Sequence, residues 1–174
     1  MTRCVEGRVP AKPPLSWGAL PYMWADLRAK RQALARAGTS LAVSEAIARE
    51  LRAAHIPRVQ VLPNMVDAAE VAAIARTPPA LPLPERFLLF VGKLEENKGA
   101  RLLVPAVKAS GVALPLVVLG EGSLAHAMKF EAAADGVELH LRGWTHREDV
   151  LRAMARAEAL VFPSLWPEPL SRVL

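Results

Sequence analysis

Three loops of this 174-residue sequence carry residues whose types and spacing suit an anionic, hydroxyl-rich ligand. The first is VGKLEENKG, Val91 to Gly99. Gly92 ends an expected strand and permits close backbone approach, Lys93 supplies a cation, and Lys98 with Gly99 opens the expected next helix. A lysine in a first helical turn opposes the helix dipole, at a cost of about 0.3–1 kcal/mol when exposed. A bound anion reverses that cost, because free N–H groups and the lysine then act together. The competing reading is two solvated lysines on a turn. The glycine spacings of a P-loop and of the dinucleotide fingerprint are both absent. The second loop is LGEGS, Leu119 to Ser123, where Gly120 and Gly122 serve turn geometry as readily as ligand access. The third is FPSLWPEPLSRVL, Phe162 to Leu174, stiffened by three prolines. Glu168 precedes Pro169, which is placed for the first position of a helix. A carboxylate there complements the dipole; its functional reading is an acceptor for ligand hydroxyls.

The elements that must position these loops follow from periodicity. Phe87 to Val91 and Pro115 to Leu119 are continuous apolar runs, as expected of parallel strands buried on both faces. Val137 to Leu141 alternates, which suits a strand near a sheet edge, and Ala159 to Phe162 is a fourth strand. Between them fall helices over Lys98 to Ser110, ended by Gly111, over Ser123 to Ala134, and from a Thr145–Glu148 capping box to about Ala157. Repeated strand–helix crossovers of this kind are right-handed and build a doubly wound, Rossmann-like parallel sheet in three α/β/α layers. Ligands bind at the carboxyl ends of such strands, which is where the three loops lie.

The first half is less regular. Trp24 to Ala37 reads as a helix, with Trp24, Leu27 and Leu34 on one face and Arg28, Lys30, Arg31 and Arg36 on the other. That basic face is either solvated or a contact for anionic lipid. Thr39 to Val43 is a short strand, Ser44 caps a helix over Glu45 to Ala54, and Val59 to Leu62 is a second strand. Residues 63–85 read as a Pro-rich linker with a short helix around Ala68 to Ala75. Its four prolines between 78 and 84 favour a polyproline-like path. The expected division is therefore 1–62, linker 63–85, and an α/β domain over 86–174.

Composition narrows the function classes. Hydrophobic residues are 52% and charged residues 22% of the chain, as in globular proteins. A net charge of +5 suits an anionic ligand or surface. It is too dispersed for nucleic acid, and no aromatic series runs through the basic residues. The lone Cys4 excludes a disulfide framework and a cysteine zinc site. His55, His126, His140 and His146 share no metal-like spacing, and no nucleophile elbow is present. No apolar run approaches the roughly 20 residues of a membrane span. With no signal-peptide core at the start, the expected location is the cytoplasm, with peripheral contact at the inner membrane face through the basic helix.

In their order and spacing, VGKLEENKG, LGEGS, RGW (Arg142 to Trp144) and FPSLWPEPLSRVL resemble the nucleotide-sugar domain of glycosyltransferase family four (group 1), of GT-B architecture. The stretch Ala42 to Asp67 resembles that family's passage from acceptor domain to linker. The resemblance covers about Ala37 to Leu174. It implies retaining transfer of a sugar from a nucleoside-diphosphate donor to an acceptor (a glycan, lipid or small molecule) with no metal. By the same resemblance, Lys93 and Lys98 hold the donor diphosphate at Gly92, where preorganised positive charge stabilises the leaving group. Glu168 holds hydroxyls of the transferred sugar, Leu170 and Ser171 line sugar and phosphate through backbone groups, and the Gly143–Trp144 loop lies near the nucleobase. Residues 1–62 correspond to the end of an acceptor-side domain.

The sequence departs from the family's pattern at four places. Lys93 stands where arginine is commoner, which keeps the charge and loses the bidentate geometry. Ser171 and Met65 replace glycines. The motif's second glutamate falls two residues past Leu174, so the chain reads as an interior piece, incomplete at both ends and weakly active by itself. Other readings are another GT-B enzyme, an epimerase or a phosphorylase, and a degenerate nucleotide- or phosphate-binding module. The Glu168 motif argues against the epimerase, and the phosphorylase's cofactor lysine has no counterpart.

Overall fold

Helix α1 (Leu20–Arg36) opens the part of the chain that this computed structural model describes, residues 20–165. It starts four residues before the expected Trp24, and none of its residues is buried. Arg31 lies four residues after Leu27 and three before Leu34, so it shares their face. The expected segregation of Arg31 to the opposite face does not hold. Strand β1 (Ser40–Ala42), helix α2 (Glu45–Ala53) and strand β2 (Val59–Val61) then make one parallel crossover, with Ser40 opposite Val59 and Ala42 opposite Val61. Ser44 caps α2 as expected: its side-chain oxygen accepts the Ile47 N–H at 3.4 Å. Leu51 and Val59 are only partly covered, and the buried set here is Ser40, Ala42, Ala48 and Ile56.

The chain divides into two compact units between Met65 and Val66, among the described residues 20–65 and 66–165. The second contains α3 (Ala68–Ala75), β3 (Leu88–Val91), α4 (Leu103–Ser110), β4 (Leu116–Leu119), α5 (Ala125–Asp135), β5 (Leu139–Leu141), α6 (Arg147–Met154) and β6 (Ala159–Leu160). The four strands from β3 onward are parallel, in the order β5-β4-β3-β6. β4 is buried along its whole length, as its unbroken apolar run requires, and β5 lies at an edge, as its alternation suggests. Phe90, Leu94, Leu103, Val104, Leu116, Val118 and Met128 form a core on one face of the sheet. Phe87, Leu89, Val117, Leu119 and Ala153 form a core on the other, with Val150 and Met154 of α6 against it. Helices α4 and α5 therefore cover one face and α6 the other. Strand order runs outward from β3 to β5 and then reverses to β6, which leaves a topological switch point between β3 and β6.

The proline-rich segment is bound along α6. Asp67 caps α3 by accepting the Ala69 and Glu70 N–H groups at 2.9 and 3.0 Å. Glu70 then pairs with Arg147 at 2.9 Å, and Arg152 donates to the Thr77 hydroxyl at 2.7 Å. The Ala80 N–H donates to Asp149 at 3.0 Å, and Leu81 and Leu83 pack on the Phe87–Leu89 core. The break between units, between Met65 and Val66, falls before α3 and inside the 63–85 segment. The capping box is also not formed. Helix α6 starts at Arg147 behind His146, which makes no side-chain cap bond, while the Thr145 hydroxyl donates to Gly143 O at 3.3 Å and Glu148 pairs with Arg152.

Candidate functional site

The site is built from the turns that leave β3, β4 and β5 at their carboxyl ends. The Gly92 N–H donates to Leu119 O at 3.0 Å, and the Leu94 N–H donates to Glu121 O at 2.9 Å. These bonds press the turn after β3 against the turn after β4. Only glycine fits at the contact: a Cβ on Gly120, at φ +149°, would fall 1.9 Å from Gly92 O. On its other side the Gly120 N–H donates to Gly143 O at 2.7 Å, which ties in the turn after β5.

A cleft of about 550 Å³ opens over these turns, with Gly92, Lys93, Gly120, Glu121, Trp144 and Thr145 among its walls. It gathers four of the residues named from sequence: Gly92, Lys93, Gly120 and Trp144. Gly143 lies directly behind, where its carbonyl holds Gly120. Lys93 is exposed, and among the described residues no carboxylate pairs with it. Trp144 is 67% exposed and meets His146 edge to face, with centroids 4.6 Å apart. Two carboxylates also line the cleft: Glu95, which reads from sequence as a solvated loop charge, and Glu121, which sequence reasoning passed over. Glu121 Oε1 accepts the Trp144 N–H at 3.1 Å. A second cleft, of about 430 Å³, lies at the opposite ends of β4 and β5 between Gly111 and Gly136, and holds none of the expected site residues.

Lys98 is placed differently from its expected position. It ends a single 3-10 turn, Glu96–Lys98, and the α-helix begins only at Leu103. The reason is Gly99, whose φ of +70° is left-handed and stops an α-helix there. The chain leaving β6 leaves no room for a side chain there: a Cβ on Gly99 would sit 2.0 Å from Pro163 O, and the Leu165 N–H donates to Asn97 O at 3.1 Å. The helix-dipole argument for Lys98 therefore does not apply. Lys98 is not on the cleft wall, but its turn is in contact with the loop after β6, across the switch point. In the same turn Arg101 donates to Glu96 at 2.6 and 2.8 Å, and this bond holds the Glu96 carboxyl below the usual carboxylate range. Trp166, Glu168, Leu170 and Ser171 lie outside the described residues.

The histidines do not converge. His140 pairs with Glu138 at 2.7 Å, and His126 and His146 meet Phe130 and Trp144 edge to face. Among the described residues no three His, Cys, Asp or Glu side chains form a group that could hold a metal ion.

A family model for the glycosyl transferases group 1 matches residues 72–174, from inside α3 to the last residue. The chain belongs to this family. The group 1 match therefore takes in all three loops that the sequence singled out. D-rhamnosyltransferase WbpZ of Pseudomonas aeruginosa is 36% identical over 83 residues, which are 47% of this chain and 21% of that protein. HepE of Anabaena, solved in complex with UDP, superposes with a TM-score of 0.66 at 17% identity, covering 86% of this chain and 44% of HepE. A TarM variant of S. aureus, solved with fondaparinux, alpha-GlcNAc-glycerol and UDP, gives 0.60 at 13% identity, covering 80% of this chain and 28% of TarM. The group 1 chain described here thus spans less than half the length of each of these relatives, and it shares the GT-B type α/β fold with the two solved ones. No helix among its described residues is long and apolar enough to cross a membrane.

Proposed function

We propose that the chain carries the donor site of a retaining, family-four glycosyltransferase that moves a sugar from a nucleoside-diphosphate donor to an acceptor. The observation that carries this reading is the cleft that gathers Gly92, Lys93, Gly120 and Trp144 beside the β3–β6 switch point. Neighbouring strands lie about 4.8 Å apart, so the ends of β3 and β5 are separated by about 10 Å. A nucleoside diphosphate laid along the strand ends would set its base at Trp144, its diphosphate at Gly92 and Lys93, and its sugar towards the loop after β6. The UDP bound to HepE and TarM and the transferase activity in WbpZ's name support this reading.

In this mechanism Lys93 and Lys98 offset the charge that builds on the diphosphate as the sugar leaves, a role that a metal ion fills in other enzymes. This reading needs no metal, so chelation should leave activity unchanged. Glu168 holds hydroxyls of the sugar, with backbone groups of Leu170 and Ser171 beside it. Residues 1–62 belong to the acceptor-side half, whose acceptor is a glycan, a lipid or a small molecule. The exposed helix α1, with Trp24 beside Arg28 at 5.2 Å and three further basic residues, gives that half a peripheral contact with anionic membrane at the inner face.

Calorimetry with UDP, GDP and ADP tests the donor site. At least one should bind, and Lys93→Ala should weaken it about tenfold, as loss of a charge-assisted contact does. Silence with all three nucleotides from a folded sample would sink the reading.

A further inference from the structure

The side chain that ties the turn after β4 to the loop after β5 belongs to Glu121. It is the one non-glycine residue between Gly120 and Gly122, in a turn whose backbone has no room to move. Gly120 is bonded to Gly143 at 2.7 Å, and a Cβ on Gly122 would fall 2.4 Å from Leu94 O. From this fixed base the carboxylate crosses to the loop after β5. Its Oε1 accepts the Trp144 N–H at 3.1 Å and stands 3.3 Å from where a Cβ on Gly143 would be. Gly143, at φ +72°, offers no side chain to contest that space. A carboxylate bonded to a backbone N–H is among the stronger tethers available to an exposed loop.

The location of the charge matters as well. A carboxylate facing a diphosphate would repel it. Glu121 follows β4, one strand nearer to Trp144 than Lys93 is, and its charge is turned towards the Trp144 amide. The engaged carboxylate of the cleft therefore lies towards β5, while Lys93 stands at β3 with Glu95 on the same turn.

We propose that Glu121 is a positioning residue for the nucleoside end of the cleft: it holds the Gly143–Trp144 loop to receive base and ribose, and takes no part in gripping phosphate. The role in binding rests on the donor reading above; the role in holding the loop does not.

The test uses the full 174-residue chain with the Glu121→Ala and Glu121→Gln variants. UDP, GDP, ADP and inorganic pyrophosphate are titrated by calorimetry, and amide exchange at Trp144 is measured without ligand. Glu121→Ala should weaken the nucleotide about tenfold and leave pyrophosphate within about twofold, since a bond to a charged acceptor is lost at one end only. It should also speed exchange at Trp144. Glu121→Gln keeps an oxygen that can accept the Trp144 N–H, and should restore both. Equal loss of nucleotide and pyrophosphate, unchanged nucleotide affinity in Glu121→Ala, or no rescue by glutamine would each overturn the proposal. If the parent chain binds pyrophosphate but none of the nucleotides, the donor reading fails by itself. Exchange then decides the loop-holding role, and an unchanged Trp144 amide in Glu121→Ala refutes it.

Discussion

In the 66–165 unit every positive-φ residue is a glycine, at positions 92, 99, 111, 120, 136 and 143; in the 20–65 unit the two such residues are His55 and Arg58. The burial of the two units differs in the same direction. β4 is covered on both faces and end to end, whereas β1 buries Ser40 and Ala42 and exposes Leu41 between them. One parallel crossover with a single packed helix can cover only one side of its sheet. Three crossovers wound both ways cover two. The contrast shows where the chain tolerates a costly backbone. His55 and Arg58 sit in a turn between α2 and β2, and Arg58 repays its conformation by donating to Ala37 O at 2.6 Å and to Gly38 O. In the other unit Gly99 and Gly120 stand where backbones touch and no side chain could be accommodated, whereas Gly111 and Gly136 end α4 and α5 with open space around them.

The comparison can be broken most sharply in the core of the 66–165 unit. Leu103→Ala, at a fully buried position, should cost about 3 kcal/mol, read by urea unfolding. A cost below about 1 kcal/mol would mean the two-faced core is looser than its burial indicates. Gly120→Ala should cost about 2–3 kcal/mol through strain and overlap with Gly92 O, and nucleotide binding should fall with it. Full stability in that variant would show that the turns are not tightly apposed.

Acid should act on the same unit through Asp149. The Ala80 N–H and then Arg152 hold its carboxyl below the usual range, so its contribution is complete above the unfolded value near 4 and is lost as pH falls through the folded one. Amide exchange at Ala80 should rise along that limb in the parent chain. In Asp149→Asn the limb should be flatter, and an identical acid profile would remove Asp149 from the account. In the 20–65 unit, His55→Gly should stabilise by about 1 kcal/mol by relieving a left-handed side chain. A loss of stability there would mean that His55 makes contacts worth more than its strain. The smallest effect belongs to Leu41→Ala: at 58% exposure it should lie within about 0.5 kcal/mol of the parent.

The strands of the 66–165 unit were legible because a strand buried on both faces must be apolar throughout, and FLLFV and PLVVL are. The short helix at Ala68–Ala75 was legible too, since Asp67 supplies the cap and the alanine-rich run the propensity. The sequence could not reveal that Gly99 would be left-handed or that Pro163, 64 residues later, would lie against it; Lys98 therefore reads as helical and is not. The capping box failed for a similar reason, since Thr145 finds an acceptor in the Gly143 carbonyl next to the site. Of the candidate site, Gly92 and Lys93 were readable from the turn they occupy, and Gly143 and Trp144 only through the family resemblance. Glu121 was not, because its partner lies 23 residues on and spacing alone does not bring them together.

The contact of Gly99 with Pro163 O bears on any attempt to re-engineer this protein. The turn after β3 and the chain leaving β6 are moulded to each other backbone against backbone, so neither is an independent part. A graft that imports one of them from a relative would meet a surface shaped for its former neighbour. Transplanted as a pair, from Gly92 to Gly99 together with Phe162 to Leu165, they would carry their fit with them.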